Sequence, residues 1–221
     1  MVNEESFKKL VEELESQKVT LVAVSKTKSV EEIKQLYDLG QRNFGENYVQ
    51  ELIEKEKQLP KDIRWHFIGH LQSNKVKQVA SFIHLIQSVD SLKLLKEINK
   101  QAEKNNRVID CLLQIHIAVE ETKFGLDEQE LHELMDELHE LKNVRIIGLM
   151  GMASLTGDTR KVRDEFKKLN SIFNRLSTND SRLSTLSMGM TSDYRIAIEE
   201  GSTMVRIGSL IFGERGSSPH S

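Results

Sequence analysis

Residues 20–36 read TLVAVSKTKSVEEIKQL, and this stretch decides the fold. It begins with Thr20–Val24, an apolar and β-branched run that predicts a buried strand. A short polar link containing Lys26 leads to Ser29, and Glu32 follows three residues later. Serine and glutamate at that spacing form a capping box, and the apolar residues behind it have the period of a helix that buries one face. The stretch therefore predicts a strand, a turn and a helix, which is the repeating unit of a parallel α/β fold.

The same unit recurs along the chain. Eight strand candidates can be counted, and nearly every gap between them holds a segment of helical period. The candidates are Thr20–Val24, Arg42–Phe44, Ile63–Phe67, His84–Gln87, Val108–Ile117, Val144–Leu149, Thr185–Ser187 and Met204–Ile207. Asp90 and Asp127 are expected to be helix N-caps. Eight strands with helical returns predict an α/β protein that is a single (β/α)8 TIM barrel.

The chain is predicted to be one domain spanning residues 1–215. Residues 1–18 hold an amphipathic helix outside the barrel strands, which we expect to cover either the barrel bottom or an open side. Only two prolines occur, so no proline-rich linker divides the chain. The small, polar stretch 216–221 predicts a disordered tail.

Composition excludes several classes of partner. A formal net charge of -3 provides no basic face for nucleic acid. The single cysteine, Cys111, allows no disulfide framework, and His132 and His139 lie seven apart, a spacing more typical of a solvated helix face than of a metal site. The first residues, MVNEESFKKL, are acidic and amphipathic and do not follow the basic-then-apolar pattern of a signal peptide, and no apolar run in the sequence reaches membrane-spanning length. We expect a cytoplasmic protein with no bound metal and no membrane association.

Polar residues at the ends of the strands indicate where the chemistry lies, because those ends converge on one mouth of a parallel barrel. Lys26 follows the first strand, where desolvation or a cationic neighbour can make its amine a nucleophile. Glycine-containing turns, Ser187–Thr191 and Ile207–Ser209, follow the last two strands and predict a phosphate site. A phosphate site facing an imine-forming lysine leaves two options: a phosphosugar aldolase-like enzyme or a pyridoxal 5'-phosphate (PLP) protein.

Seven segments of the chain form a recognisable set: AVSKTK at 23–28, FGENYVQE at 44–51, WHFIGHLQSNK at 65–75, KFG at 123–125, GLM at 148–150, SMGM at 187–190 and GSTMVRIG at 201–208. In order and in register, over about residues 20 to 215, they closely resemble the YggS/PROSC family of PLP-binding proteins. The resemblance implies a fold like the N-terminal barrel of alanine racemase and favours PLP as the cofactor.

The resemblance also implies roles for individual residues. Lys26 is expected to be the Schiff-base lysine, and Arg206 is expected to face the pyridine nitrogen. Asn47 and His66 are expected to line the ring pocket, although Asn47 could equally cap the following helix and His66 could be a satisfied core histidine. The residues expected to hold the phosphate are Ser187, Gly189, Met190, Thr191, Gly208 and Ser209, with Thr191 standing where the family usually has serine.

The expected role is a PLP carrier without robust catalysis, active in vitamin B6 and amino-acid homeostasis. A guanidinium at the pyridine nitrogen disfavours protonation of the ring, which weakens it as an electron sink. The tyrosines Tyr37, Tyr48 and Tyr194 are placed in predicted helices, so no second base is expected at a strand end. The alternative is a PLP-dependent enzyme with weak racemase or transaminase activity. PLP-dependent apoenzymes are possible acceptors, and we expect a monomer.

Overall fold

Eight parallel strands close into a barrel in the computed structural model, which describes residues 2–118, 124–178 and 181–213. The strands are β1 (Thr20–Val24), β2 (Asn43–Glu46), β3 (Arg64–Phe67), β4 (Leu85–Val89), β5 (Ile109–Gln114), β6 (Val144–Met150), β7 (Thr185–Ser187) and β8 (Met204–Ile207). Each strand pairs with the next one along the chain, and β1 pairs with β8, with Thr20 opposite Met204. The predicted (β/α)8 barrel is confirmed.

Helices surround the barrel and separate its strands. They are α1 (Glu4–Ser16), α2 (Val30–Asp38), α3 (Val49–Gln58), α4 (Val76–Val79), α5 (Leu92–Lys104), α6 (Glu128–Glu137), α7 (Thr159–Ser177), α8 (Tyr194–Glu199) and α9 (Ser209–Phe212). Short 3-10 turns, Ser73–Lys75 and Leu138–Glu140, adjoin α4 and α6.

The fifth strand is shorter than the sequence predicts. It ends at Gln114 instead of Ile117, because the chain leaves the sheet to pair with the segment that precedes α6. The amide of His116 donates to the Leu126 carbonyl at 3.0 Å, and the amide of Leu126 donates to the Gln114 carbonyl at 2.8 Å. The apolar residues in this second pairing are buried. In the sequence their apolar run therefore looks like a continuation of the strand.

Two of three predicted helix caps are confirmed. Ser29 and Asp127 each accept from the backbone three residues on and form complete capping boxes with Glu32 and Glu130. The prediction for Asp90 is wrong, because Ser91 caps α5 with its hydroxyl at 3.3 Å from the Leu94 amide. The Asp90 carboxylate instead lies 3.0 Å from Nδ1 of His70.

Helix α1 covers an outer side of the barrel. Its buried stripe is Phe7, Leu10 and Leu14, three positions spaced to share one helix face. Its first residues reach the mouth end of the fold, where the Asn3 amide donates to the Ile211 carbonyl at 2.8 Å. Glu13 contacts α8 through Arg195, so α1 packs alongside α8 and α9.

The core has two parts, one between the sheet and the helices and one inside the barrel. The inner apolar cluster consists of Val22, Leu85, Leu112, Met150 and Met204. Four buried polar side chains, His66, Gln87, Ser187 and Arg206, also lie inside the barrel and are joined by hydrogen bonds. These buried polar residues support the mouth of the barrel.

Two predictions fall on residues outside the described ranges: the tail at 216–221 and Lys123 of the KFG segment. Within the described ranges, none of the helices combines the length and apolar character that crossing a membrane requires. The same ranges contain no group of three histidine, cysteine, aspartate or glutamate side chains arranged to hold a metal ion.

Candidate functional site

A cavity of about 530 Å³ opens at the carboxyl end of the barrel strands. Its wall is formed by Val24, Lys26, Thr27, Lys28, Tyr48, Leu155, Met190, Thr191, Ser192, Arg206, Gly208, Ser209 and Gly213. Three of these side chains are cationic and none is a carboxylate, so the wall favours an anionic ligand. Its size is within the range of about 300–1,000 Å³ typical of cofactor sites.

The cavity brings six of the ten predicted site residues together. They are Lys26, Met190, Thr191, Arg206, Gly208 and Ser209, which come from the ends of β1, β7 and β8. These strands are neighbours because β8 pairs with β1 to close the barrel. Barrel closure thus brings the two ends of the sequence into one site.

Lys26 lies on a strained turn directly after β1. The next residue, Thr27, has φ of 63°, a left-handed conformation that is rare for a β-branched residue. Such a residue costs about 1–3 kcal/mol and persists only where its surroundings hold it. The Thr27 amide donates to Oε1 of Glu51 at 2.5 Å. The backbone next to Lys26 is therefore held in place by a neighbouring helix.

Arg206 is buried at the base of the cavity and is held at both ends of its guanidinium. Nη1 donates to the Ser187 hydroxyl at 2.6 Å, and Nη2 donates to the Gly151 carbonyl at 3.0 Å. Burial lowers the pKa of Arg206 to about 10, and the charge of Asp193 opposes this shift. Arg206 therefore remains a cation at neutral pH, with its orientation fixed by the barrel interior.

The predicted phosphate ligand Ser187 points into the barrel and not toward the cavity. Its hydroxyl accepts from Arg206 and donates its only proton to Oε1 of Gln87 at 2.7 Å, so that proton is not available to a phosphate oxygen. Ser187 has no exposed surface. From this position, Ser187 is better placed to orient Arg206 than to contact a phosphate in the cavity.

His66 also lies inside the barrel and is 1% exposed. Nδ1 of its ring is 2.9 Å from Nε2 of Gln87, and its Nε2 is 3.2 Å from Oδ1 of Asn43. Because the Gln87 amide donates, the proton of the His66 ring is on Nε2. Burial, together with the charges of His84 and Arg64, lowers the pKa of His66 to about 3. These contacts favour the satisfied core histidine over a residue that lines the ring pocket.

Asn47 does not cap helix α3, since Tyr48 holds the N-cap position. It lines a neighbouring cavity of about 320 Å³ that shares Tyr48 with the main one. Its Oδ1 is buried and has no hydrogen-bond partner among the described residues. A Cβ on Gly69 would lie 2.8 Å from the Cα of Asn47, so only glycine allows this close approach of two strand ends.

Gly189 allows the turn after β7 to pack closely against α8. It has φ of +95°, and a Cβ there would lie 2.6 Å from that of Ala197 in α8. The Met190 amide that follows donates to Oδ1 of Asp193 at 2.6 Å. The turn therefore presents Thr191 to the cavity, while its glycine allows α8 to approach.

Sequence reasoning missed or misplaced several residues of the site, among them Tyr48, Leu155 and Gln87. Tyr48, expected inside a helix, is 59% exposed and lies on the cavity wall just before α3 begins. Leu155, 87% exposed, comes from the loop before α7. Gln87 links Ser187 to His66 inside the barrel. A signal for Tyr48 existed, because it lies two residues beyond a strand end, where barrel sites are built.

The family model described as alanine racemase, N-terminal domain, matches residues 4–216. Among solved structures, an alanine racemase from Clostridium difficile superposes with a TM-score of 0.76 at 14% identity, covering 97% of this chain and 58% of that one. At that identity the likeness concerns the fold alone. The fold is that of the alanine racemase N-terminal barrel, as the sequence motifs implied.

Curated relatives match at higher identity. Pyridoxal phosphate homeostasis proteins from Aquifex aeolicus, Pasteurella multocida and Escherichia coli are 44%, 42% and 38% identical over 197, 207 and 206 residues. The matches cover 88%, 90% and 91% of this chain and 86%, 88% and 88% of those proteins. The chain belongs to this family of pyridoxal phosphate homeostasis proteins, which confirms the resemblance to YggS/PROSC.

Two solved structures of PipY from Synechococcus elongatus are also similar. The one described as without PLP has a TM-score of 0.89 at 35% identity, covering 95% of this chain and 99% of that chain. The one described as having PLP bound has a TM-score of 0.82 at 36% identity, with coverage of 92% and 98%.

Proposed function

We propose that this protein binds pyridoxal 5'-phosphate as a Schiff base on Lys26 and serves PLP and amino-acid homeostasis as a carrier. The observation that carries the proposal is a single cavity in which a lysine amine, a buried arginine and a glycine-serine turn meet at the mouth of the barrel. The family membership and the PLP-bound relative support the same ligand.

The residues present fit this cofactor. PLP is an anion with an aromatic ring, and the cavity wall contains Lys26, Lys28 and Arg206 with no carboxylate among its lining residues. The wall also offers Thr191 and Ser209 as hydroxyl donors beside the turn at Gly208. A Cβ on Gly208 would lie 3.1 Å from the Val24 carbonyl, so the backbone of β8 approaches β1 closely at this point.

We assign each group the role that the family resemblance implies, and the positions of the cavity residues support these roles. Lys26 would supply the amine that holds the aldehyde, and Arg206 would face the ring nitrogen. Met190, Thr191, Gly208 and Ser209 would hold the phosphate, with Ser187 and Gly189 acting behind them. When bound, PLP supplies an electron-withdrawing ring conjugated to an imine. Because Arg206 stays cationic, it disfavours a protonated ring nitrogen, which suits retention of the cofactor more than carbanion chemistry.

The proposal predicts that Lys26→Ala removes the visible absorbance that PLP acquires on binding. The barrel should remain folded, because Lys26 lies at the mouth and contributes little to the core. The measurement is a PLP titration followed by absorbance, with far- and near-ultraviolet circular dichroism as the check on folding. Lys57→Ala, on the exposed face of α3, is the matched control and should bind as the wild type does. A folded Lys26→Ala protein that keeps the band would contradict the assignment.

A second candidate function is a weak amino-acid racemase or transaminase, and the position of Tyr48 favours it. A tyrosine on the cavity wall offers a second proton-transfer group in addition to Lys26. The sequence pattern predicts that this tyrosine lies inside a helix. For a carrier, we expect no turnover of alanine enantiomers by the PLP-loaded protein and no difference between wild type and Tyr48→Phe. Turnover that falls at least tenfold in Tyr48→Phe, with PLP still bound, would favour the enzyme.

We further propose that the protein acts in the cytoplasm as a monomer and passes PLP to PLP-dependent apoenzymes. The cavity residues proposed to contact the cofactor all come from the ends of neighbouring strands in one barrel, so the proposed site needs no residue from a second copy. Large apolar side chains, Tyr48, Phe124 and Leu155, are exposed near the mouth, where an acceptor would have to approach.

A further inference from the structure

A buried ionic cluster lies beneath the turn that carries Lys26. Its centre is the ammonium group of Lys55, a residue of α3 whose side chain is 6% exposed. Nζ of Lys55 is 2.7 Å from Oε1 of Glu46, 2.6 Å from Oε1 of Glu51 and 2.7 Å from the carbonyl oxygen of Ser25. The Ser25 hydroxyl donates to the same Glu46 oxygen at 2.6 Å. All three ammonium protons of Lys55 therefore have acceptors.

This cluster holds both peptide groups that flank Lys26. The Ser25 carbonyl belongs to the peptide before Lys26 and accepts directly from Lys55. The Thr27 amide belongs to the peptide after Lys26 and donates to Glu51, whose same oxygen accepts from Lys55. The two peptide planes define the backbone dihedrals of Lys26, so the cluster determines the direction in which that side chain leaves the backbone.

The burial of these charges calls for an explanation, since a buried ion pair is costly to desolvate and is weak evidence for stability alone. Glu46 has no exposed side-chain surface, and its Oε2 has no hydrogen-bond partner among the described residues. Burial raises the pKa of Glu46, against the attraction of Lys55. The cluster also holds Thr27 in a left-handed conformation that its β-branched side chain disfavours. A role in orienting Lys26 accounts for both features.

We propose that Lys55 is a positioning residue for Lys26, acting through Glu51 and the Ser25 carbonyl to hold the lysine turn in its strained conformation. This inference rests on the proposed function, in which Lys26 holds the cofactor. Lys55 itself is separated from the cavity and does not line it. Sequence reasoning did not single it out, because a lysine in an amphipathic helix predicts a solvated residue.

The test compares Lys55→Met with Lys57→Met, which removes an exposed lysine from the same helix. Both proteins are titrated with PLP under conditions where circular dichroism shows them folded. A second readout needs no cofactor: the rate of reductive methylation of Lys26 relative to exposed Lys93, measured by mass spectrometry. We expect Lys55→Met to weaken PLP binding at least tenfold and to raise the Lys26:Lys93 labelling ratio at least threefold. Lys57→Met should change neither.

Glu51→Gln provides an independent variant if Lys55→Met does not fold. Glu51 is 24% exposed, so the substitution is easier to accommodate. It replaces the carboxylate that accepts from the Thr27 amide and pairs with Lys55 by a neutral amide, which weakens both contacts. Glu54→Gln, at an exposed position on α3, is its control. We expect Glu51→Gln to raise the labelling ratio and Glu54→Gln to leave it unchanged.

The proposal is overturned if folded Lys55→Met or Glu51→Gln protein labels and binds PLP as the wild type does, whatever its stability. A wild-type protein that takes up no PLP would instead contradict the proposed function. In that case the labelling ratio, which is measured without the cofactor, still decides whether Lys55 positions Lys26.

Discussion

At the scale of single residues, burial controls the charge of the groups beneath the cavity. Arg206 and His66 both lie inside the barrel, yet one remains charged and the other is neutral. The ordinary pKa of arginine is so high that burial leaves it at about 10, whereas the same effect takes His66 to about 3. Gln87 and Ser187 connect the two, because Arg206 donates to the Ser187 hydroxyl, Ser187 donates to Gln87, and the Gln87 amide donates to His66. The barrel therefore contributes one fixed positive charge to the site.

The lowered pKa of His66 predicts a loss of stability in acid. Its ordinary value is 6.5, so above that pH the ring is neutral in both the folded and the unfolded chain. As the pH falls toward 3, the unfolded chain binds a proton that the folded barrel excludes. The free energy of unfolding should therefore fall with a slope approaching about 1.4 kcal/mol per pH unit from this residue. His84, whose pKa burial also lowers, acts in the same direction.

The measurement is the free energy of unfolding by urea between pH 6.5 and 5.0, which stays above the ordinary pKa of aspartate and glutamate. His66→Gln should show a shallower slope than the wild type over that interval, whatever its absolute stability. His132→Gln, at an exposed position on α6, is the matched control and should keep the wild-type slope. Equal slopes for His66→Gln and the wild type would show that His66 does not titrate as its burial requires.

Individual site residues could be predicted from sequence only where position along the chain was enough. Lys26 and Arg206 were found because a residue at or after a barrel strand reaches the mouth. The interior contacts of Ser187 and His66 could not be predicted, because a strand residue's partners depend on how the barrel closes. Lys55 gave no signal, since its role depends on contacts with residues 4, 9 and 30 positions away.

At the scale of elements, the turn after β7 depends on close packing with α8. Gly189 permits this in two ways, through its φ of +95° and through the absence of a Cβ that would contact Ala197. Ser202 reinforces the same region by donating to the Met188 carbonyl at 2.8 Å. The position of Thr191 on the cavity wall thus depends on the fit between a turn and a short helix.

Gly189→Ala should therefore destabilise the protein by about 2 kcal/mol or more, since it combines a left-handed backbone with an overpacked contact. It should also weaken PLP binding by displacing Thr191. Thermal or urea unfolding and a PLP titration measure the two effects. Gly157→Ala is the control, because a Cβ at that position meets nothing within 4 Å. A Gly189→Ala protein as stable as Gly157→Ala would disprove the packing role.

The elements themselves were largely predictable, with errors at their ends. Capping boxes at Ser29 and Asp127 carry their signal in two residues three apart, so local sequence sufficed. The early end of β5 could not be predicted in this way, because Leu126, in the segment that precedes α6, takes the backbone hydrogen bonds just beyond the strand. Likewise, Ser91 replaces Asp90 as a cap because His70, from another loop, takes the carboxylate.

At the scale of the whole molecule, closure of the barrel creates the site. The hydrogen bonds between β1 and β8 bring Lys26 beside Gly208, although 182 positions of sequence separate them. Eight strand candidates with helical returns were enough to predict that closure. The sequence pattern could not give the cavity wall in full, because Tyr48 and Leu155 come from loops whose course depends on the assembled barrel.

The most direct test of the account is reduction of the PLP-loaded protein with borohydride, followed by proteolysis and mass spectrometry of the modified peptide. We expect a phosphopyridoxyl group on Lys26, with Lys28 and Lys75 unmodified as nearby internal controls. Modification of a different lysine would contradict the assigned site. A protein that takes up no PLP would contradict the proposed function itself and would favour a phosphosugar ligand for the same cavity.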